Sequence, residues 1–190
     1  MKYRTIVADP PWPETPRPGW SWREGQPSGE TRDLPYTTMT VEAIADLPVR
    51  SLTQGDKWHV DGAKDGSHLY LWTTTKFLEE AHVIARSWGF SVSAVLVWCK
   101  AKRGFNVGGT WPSNVEFVLY GRRGSPPATG RADSRWFEWP RGEHSAKPEA
   151  FYDLVEQLSP GPYLELFARR QRLGWDTWGN EALEHVELFA

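Results

Sequence analysis

An α/β fold with a largely parallel sheet is predicted by three features of this 190-residue sequence. Short apolar, β-branched runs alternate with segments whose apolar residues recur at helical spacing. Gly and Pro punctuate the junctions between them. The sharpest polar motif, Asp9-Pro10-Pro11-Trp12, falls just after the first apolar run, and in open parallel sheets ligands collect at the strands' carboxyl ends.

Taken in order, Tyr3 to Ala8 reads as a strand that the two prolines stop, leaving Asp9 at its carboxyl end. Residues 13 to 37 are rich in Pro, Gly and charge and read as a long loop of the kind that carries function. Thr40 is placed to cap a short helix from Val41 to Leu47, closed by Pro48. The polar stretch from Thr53 to Gly66 reads as an exposed insertion. Leu69 to Trp72 is a strand, and Phe77, Ala81, Ile84 and Trp88 mark one face of a helix stopped by Gly89. Val92 to Trp98 and Val115 to Tyr120 follow as strands, and Gly121 to Gly142 reads as a loop. Pro148 opens a helix with Phe151, Leu154, Val155 and Leu158 on one face; Pro160-Gly161 breaks it before a strand from Tyr163 to Phe167.

The length fits one domain over residues 1–190. A single cysteine, Cys99, rules out an internal disulfide framework and suits a reducing compartment. No signal-like leader is visible, and no apolar run approaches the ~20 residues of a membrane span. A soluble, cytoplasmic protein without membrane contact is expected. The five histidines and Cys99 show no metal-ligand spacing, so no metal site is expected. Phosphate-loop and nucleophile-elbow motifs are missing, which weakens nucleotidase and hydrolase readings. With a net charge of −2, any nucleic-acid contact needs local rather than global positive charge.

The chemistry points to Asp9, Pro10, Pro11 and Trp12. The exocyclic amine of adenine is a poor nucleophile because its lone pair is conjugated into the ring. A hydrogen-bond acceptor at that amine localises the lone pair. The Asp9 carboxylate and the Pro10 carbonyl supply two acceptors on a backbone that proline stiffens. Trp12 supplies a flat surface for stacking, worth about 1–3 kcal/mol per base. The base must be unpaired or flipped to enter. On the tetrapeptide alone, an Asp that merely caps a Pro-rich turn is as good a reading; the strand position and the later motifs favour chemistry.

Further segments recur in a recognisable order: Tyr36-Thr37-Thr38-Met39-Thr40, Leu71-Trp72-Thr73-Thr74, Trp88-Gly89-Phe90, Trp98-Cys99-Lys100, His144-Ser145-Ala146-Lys147-Pro148, Glu165-Leu166-Phe167-Ala168-Arg169, Gly174-Trp175 and Gly179-Asn180-Glu181. With Asp9-Pro10-Pro11-Trp12 they resemble the adenine-N6 methyltransferase family that includes the catalytic subunit of the eukaryotic mRNA adenosine methyltransferase and its bacterial and phage relatives. The chain is also similar to amino-methylating DNA enzymes whose catalytic half precedes the cofactor half.

The resemblance implies a Rossmann-like fold that uses S-adenosyl-L-methionine to methylate adenine N6 in DNA or RNA; the compactness of the chain favours DNA. It implies cofactor contacts from Ser145, Lys147, Glu165, Phe167, Arg169, Asn180 and Glu181. Glu165 would take the ribose hydroxyls, while Lys147 and Ser145, beside a helix N-terminus, would favour the methionine carboxylate. Tyr36, Lys100, Asn114 and Glu116 are the implied substrate contacts, although one residue separates Asn114 from Glu116 where relatives commonly have two. Only Met1 and Lys2 precede Tyr3, so the wall that the family's extra strand gives the cofactor adenine is expected to be supplied otherwise or to be absent.

Lys102, Arg103, Arg122 and Arg123 are candidate phosphate contacts with Lys100. Trp20, Trp22, Trp111, Trp136 and Trp139 are stacking surfaces or core anchors. Sequence preference is expected from loops, a second copy or a partner subunit. Two rival readings are a non-catalytic nucleic-acid-binding relative and a methyltransferase acting on a small-molecule or protein amine.

Overall fold

The first strand, β1 (Thr5–Ala8), is buried on both faces, as its unbroken β-branched and apolar composition requires. The computed structural model describes residues 2–13, 37–55, 65–100, 111, 114–140 and 146–179. Within them lie helix α1 (Val41–Ala45), β2 (Gly66–Thr73), α2 (Leu78–Ser87), β3 (Ser91–Lys100), β4 (Val115–Gly124), β5 (Trp136–Trp139), α3 (Glu149–Leu158), β6 (Tyr163–Leu166) and β7 (Trp175–Trp178). They form one sheet in the order β5-β3-β4-β2-β1-β6-β7. β4 is antiparallel to both its neighbours, while the pairs β1–β2, β1–β6, β6–β7 and β3–β5 are parallel. The fold is the α/β, Rossmann-like, mostly parallel arrangement expected.

Alternating side chains divide the core into two layers. Ile6, Ala8, Leu69, Leu71, Leu164 and Leu166 face Ile44 of α1 and Ile84 and Trp88 at α2. Val7, Tyr70, Trp72 and Val118 face Phe151, Tyr152 and Val155 of α3. The Thr40 hydroxyl caps α1 by accepting from the Ala43 N–H at 3.1 Å. Gly89 takes φ 85 just beyond α2, the left-handed position that ends a helix.

Several boundaries differ from expectation. The span Gly121–Gly142 is not one loop: β4 continues to Gly124 by pairing with Gly66–Leu69, and β5 pairs with the end of β3. The extension depends on two glycines packed back to back, since a Cβ on Gly66 would lie 2.3 Å from the Arg123 carbonyl oxygen. β7 is a further strand, four residues long, whose Trp175 and Thr177 point into the core. Thr53 is buried and bridges Tyr3, so the expected insertion begins inside the fold; residues 56–64 lie outside the described residues. Pro148 is the N-cap of α3 (φ −60, ψ 137) rather than its first helical residue.

A polar group sits at the amino end of β2. His68 Nδ1 lies 2.7 Å from the Ser159 hydroxyl oxygen, which lies 2.8 Å from the Tyr70 hydroxyl. Burial, with the Arg122 charge nearby, lowers the His68 pKa to about 4. The unfolded chain therefore takes up a proton near pH 6.5 that the folded one refuses. The stability His68 contributes is present above pH 6.5 and is lost as pH falls toward 4. In urea melts at pH 7, 5.5 and 4.5, His68→Gln should show a shallower acid loss than the unmodified chain.

Candidate active site at the carboxyl edge of the sheet

Because β1 ends at two prolines, Asp9 leaves the sheet immediately beyond the strand, its N–H still donating to the Leu166 carbonyl at 3.4 Å. The turn that follows is tight. The Trp12 N–H donates to the Pro10 carbonyl at 2.9 Å, and the Met39 N–H donates to the Pro11 carbonyl at 2.9 Å. One lone pair of the Pro10 carbonyl is thus occupied, and its second remains for another donor.

Trp12 departs from expectation. Its indole is only 6% exposed, stacks on Phe77 at 5.2 Å between centroids, and donates from Nε1 to the Trp72 carbonyl at 3.2 Å. The stack on Phe77 covers one face of the ring, and with the Nε1 hydrogen bond it anchors the turn.

Four predicted residues converge into one charged cluster. Lys147, just before α3, places its ammonium 2.8 Å from Asp9 Oδ2 and 3.3 Å from Glu116 Oε2. Lys100, the last residue of β3, donates to the other Glu116 oxygen. Two ammoniums thus face two carboxylates. Glu116 comes from the start of β4, opposite Trp98, and the Lys100 N–H donates to the Asn114 carbonyl at 2.8 Å. The Lys147 ammonium also lies 5.1 Å from the centre of the Trp72 ring. Burial alone would lower the Lys147 pKa, yet Asp9 and Glu116 carry it above the usual lysine value. Burial alone would raise that of Glu116, and the two lysines pull it below the usual carboxylate value.

The sequence expects Lys147 to meet an anion at the helix N-terminus; Asp9 and Glu116 take two of its three N–H donors and leave the third open to that role.

Glu165 lies beside Val7 and Thr177 near the carboxyl end of β6. Its Oε1 accepts from the Tyr152 hydroxyl at 2.6 Å. Burial raises the Glu165 pKa to about 7; the Tyr152 hydrogen bond opposes this and the Asp9 charge adds to it. Phe167 turns the chain beyond β6 with φ 65 and packs edge-on against Trp178. Gly179 meets this turn so closely that a Cβ would lie 2.5 Å from the Ala168 carbonyl oxygen. Arg169, half-buried, follows the same turn.

Tyr36, Ser145, Asn180 and Glu181, with Lys102, Arg103, Trp20 and Trp22, lie outside the described residues. Arg122 and Arg123 are not beside the cluster. They pair with His68 and Ser67 at the opposite end of β2, and Arg123 is buried. Trp111 and Trp136 are exposed, while Trp139 is half-buried and stacks on Phe137. Trp72 and Tyr152 were missed as contributors. The signal for Tyr152 was its helical spacing to Val155, three residues on. Among the described residues no group of His, Cys, Asp and Glu is arranged to hold a metal ion, and no helix is long and apolar enough to cross a membrane.

An acidic turn after a central strand, joined by a lysine before α3 to the start of β4, coincides with a family match across residues 3–181. The chain belongs to the MT-A70 methyltransferase family. It is 32% identical to the type II methyltransferase M.MunI of Mycoplasma sp, over 95% of this chain and 78% of that protein. It is 27% identical to the N(6)-adenosine-methyltransferase MT-A70-like protein of Drosophila melanogaster, over 98% of this chain but 28% of that one. It is 26% identical to the human N(6)-adenosine-methyltransferase catalytic subunit METTL3, over 98% of this chain and 29% of METTL3. The MT-A70 chain described here thus spans under a third of those two animal relatives.

Breaking the charged cluster from its centre should be costly, because two carboxylates would face each other in a largely buried setting. Lys147→Met is expected to lower unfolding stability by about 3 kcal/mol. Adding Asp9→Asn should restore part of that loss, as read from urea melts of the single and double variants.

Proposed function

We propose that this MT-A70 member transfers a methyl group from S-adenosylmethionine to the N6 amine of adenine in nucleic acid, DNA before RNA. The observation that carries the reading is the meeting of Asp9, Lys147 and Glu116 at the edge where β1 ends. Lys147 engages Oδ2 of Asp9, which leaves Oδ1 to accept from the amine. The free lone pair of the Pro10 carbonyl supplies the second acceptor. Together they hold the amine nitrogen with its lone pair directed out of the ring plane. The acceleration then comes from positioning rather than from a strong base, because the amine becomes acidic only as its new bond forms. Asp9 is placed to receive the proton released at that stage. The adenine enters unpaired or flipped.

The donor set fits S-adenosylmethionine. Glu165 keeps acceptor capacity beyond its bond to Tyr152, as two ribose hydroxyls require. The backbone of Ala168 and Gly179 closes into a tight floor beside Phe167, and Arg169 adds a cation next to it. When bound, the cofactor supplies an electrophilic methyl on a sulfonium. Ser145, Asn180 and Glu181 belong to the same proposal.

A labelled-methyl assay on adenine-containing DNA and RNA, with mass spectrometry of the nucleosides, tests the reading. Asp9→Ala should lower the rate at least a hundredfold, with N6-methyladenine as the product in the unmodified chain. Unchanged activity in Asp9→Ala would remove the mechanism.

The pH dependence is set by Glu165. Accepting from two hydroxyls requires the ionised carboxylate, so cofactor affinity should rise as pH climbs through about 7 and level off above it. Binding below pH 7 should release a proton. Calorimetric titrations in buffers of different ionisation enthalpy should show that release, and Glu165→Gln should abolish it.

A further inference from the structure

We infer that Tyr152 is a positioning residue for Glu165: a ring locked on the inner face of α3 aims its hydroxyl at Oε1 and so fixes how the carboxylate presents itself to the ribose. The inference rests on the reading that Glu165 holds the cofactor ribose. Its own basis is the geometry around the tyrosine.

The Tyr152 hydroxyl lies 2.6 Å from Glu165 Oε1, with both residues buried. The ring has no room to turn. It meets Phe151 at 5.4 Å and Trp175 at 5.6 Å, both edge-on. Two guanidiniums, Arg170 at 5.9 Å and Arg172 at 5.6 Å, lie over it. Arg172 is itself fixed, bonding to Glu149 at 2.8 Å, Asp153 at 2.6 Å and Glu156 at 2.8 Å. Arg170 pairs with Glu149 as well. The Trp175 indole donates to Glu156 at 2.7 Å. A whole face of α3 is therefore clamped to the connection between β6 and β7, and the tyrosine is held inside the clamp.

Such a contact acts on Glu165 in two ways. It fixes the carboxylate's rotation, so one oxygen is engaged and the other is turned to the ligand. It also favours the ionised form, because a donor to a carboxylate stabilises the charge. The groups that face Glu165 are Tyr152 and Glu149 from α3, Asp9 beyond β1 and Arg170 beyond β6. Burial pushes the Tyr152 phenol well above its usual range, with the Glu165 charge adding to the effect, so it stays a donor while Glu165 titrates.

The test uses the intact chain and S-adenosylmethionine as the probe, titrated calorimetrically from pH 6 to 9 with the unmodified protein, Tyr152→Phe and Glu165→Gln. Tyr152→Phe keeps the ring and its packing. It should weaken binding about five- to tenfold at pH 7, move the midpoint of the pH curve upward, and leave a residual weakening of about twofold near pH 9, where the carboxylate is ionised but no longer held. In the methyl-transfer assay its cofactor KM should rise while kcat at saturating cofactor stays within about twofold. Arg172→Gln, which loosens the ring without touching the core, should shift the curve in the same direction by less; it decides the matter if Tyr152→Phe does not fold. If Glu165→Gln binds weakly with a flat pH profile while Tyr152→Phe follows the unmodified curve, the tyrosine only packs and the inference fails alone. If Glu165→Gln itself behaves as the unmodified protein, the ribose reading fails and takes the inference with it.

Discussion

The charged edge of this protein depends on one ammonium. Lys147 lies 2.8 Å from Asp9 and 3.3 Å from Glu116, and among the described residues no other group of the cluster touches both. Withdrawing a lysine from water is costly, and a single carboxylate seldom repays it. Two carboxylates and the face of Trp72 do so here. The contact also ties together three parts of the chain that share no backbone ladder: the turn after β1, the start of β4 and the N-cap region of α3. A cation is disfavoured beside the positive end of a helix, and Lys147 is stable there because the carboxylates outweigh the dipole. The position of α3, and with it Tyr152, is therefore coupled to the position of Asp9.

Asp9 and Glu165 lie at the ends of neighbouring strands yet have opposite surroundings. Asp9 faces an ammonium. Glu165 is buried against a neutral phenol, and burial carries its pKa to about 7. Two carboxylates in like settings would do similar work; these are separated by their partners into different tasks. On the proposed reading, one meets the amine of the substrate and the other the hydroxyls of the cofactor, across the width of two strands.

Much of the frame was legible in the sequence because its signals are local. β-Branched runs, the Thr40 cap, the Gly89 stop and the helical spacing of Phe151 and Val155 each depend on a few adjacent residues. The strand position of Asp9 followed from two prolines alone. What was not legible depends on partners far along the chain. Trp12 reads as an exposed aromatic until Phe77, 65 positions on, covers its face. Lys147 reads as an anion site from its place before α3, and its pairing with Asp9 and Glu116 shows only once distant strands come together. β5 and β7 are four residues each and gain their order from a neighbour's edge, so neither carries a strong pattern of its own.

The one reversed strand explains where charge can and cannot reach. In a sheet with every strand parallel, only strand ends would face the ligand edge. Because β4 runs the other way, its first residues arrive there, and Glu116 joins Lys147 and Lys100. The same reversal carries the other end of β4, with Arg122 and Arg123, to the amino end of β2 beside His68. The sequence groups those arginines with Lys100 as candidate phosphate contacts, one local patch of positive charge. The hydrogen-bond ladder of β4 forbids it: at about 3.3 Å per residue, six or seven positions along a strand put roughly 20 Å between them and the cluster.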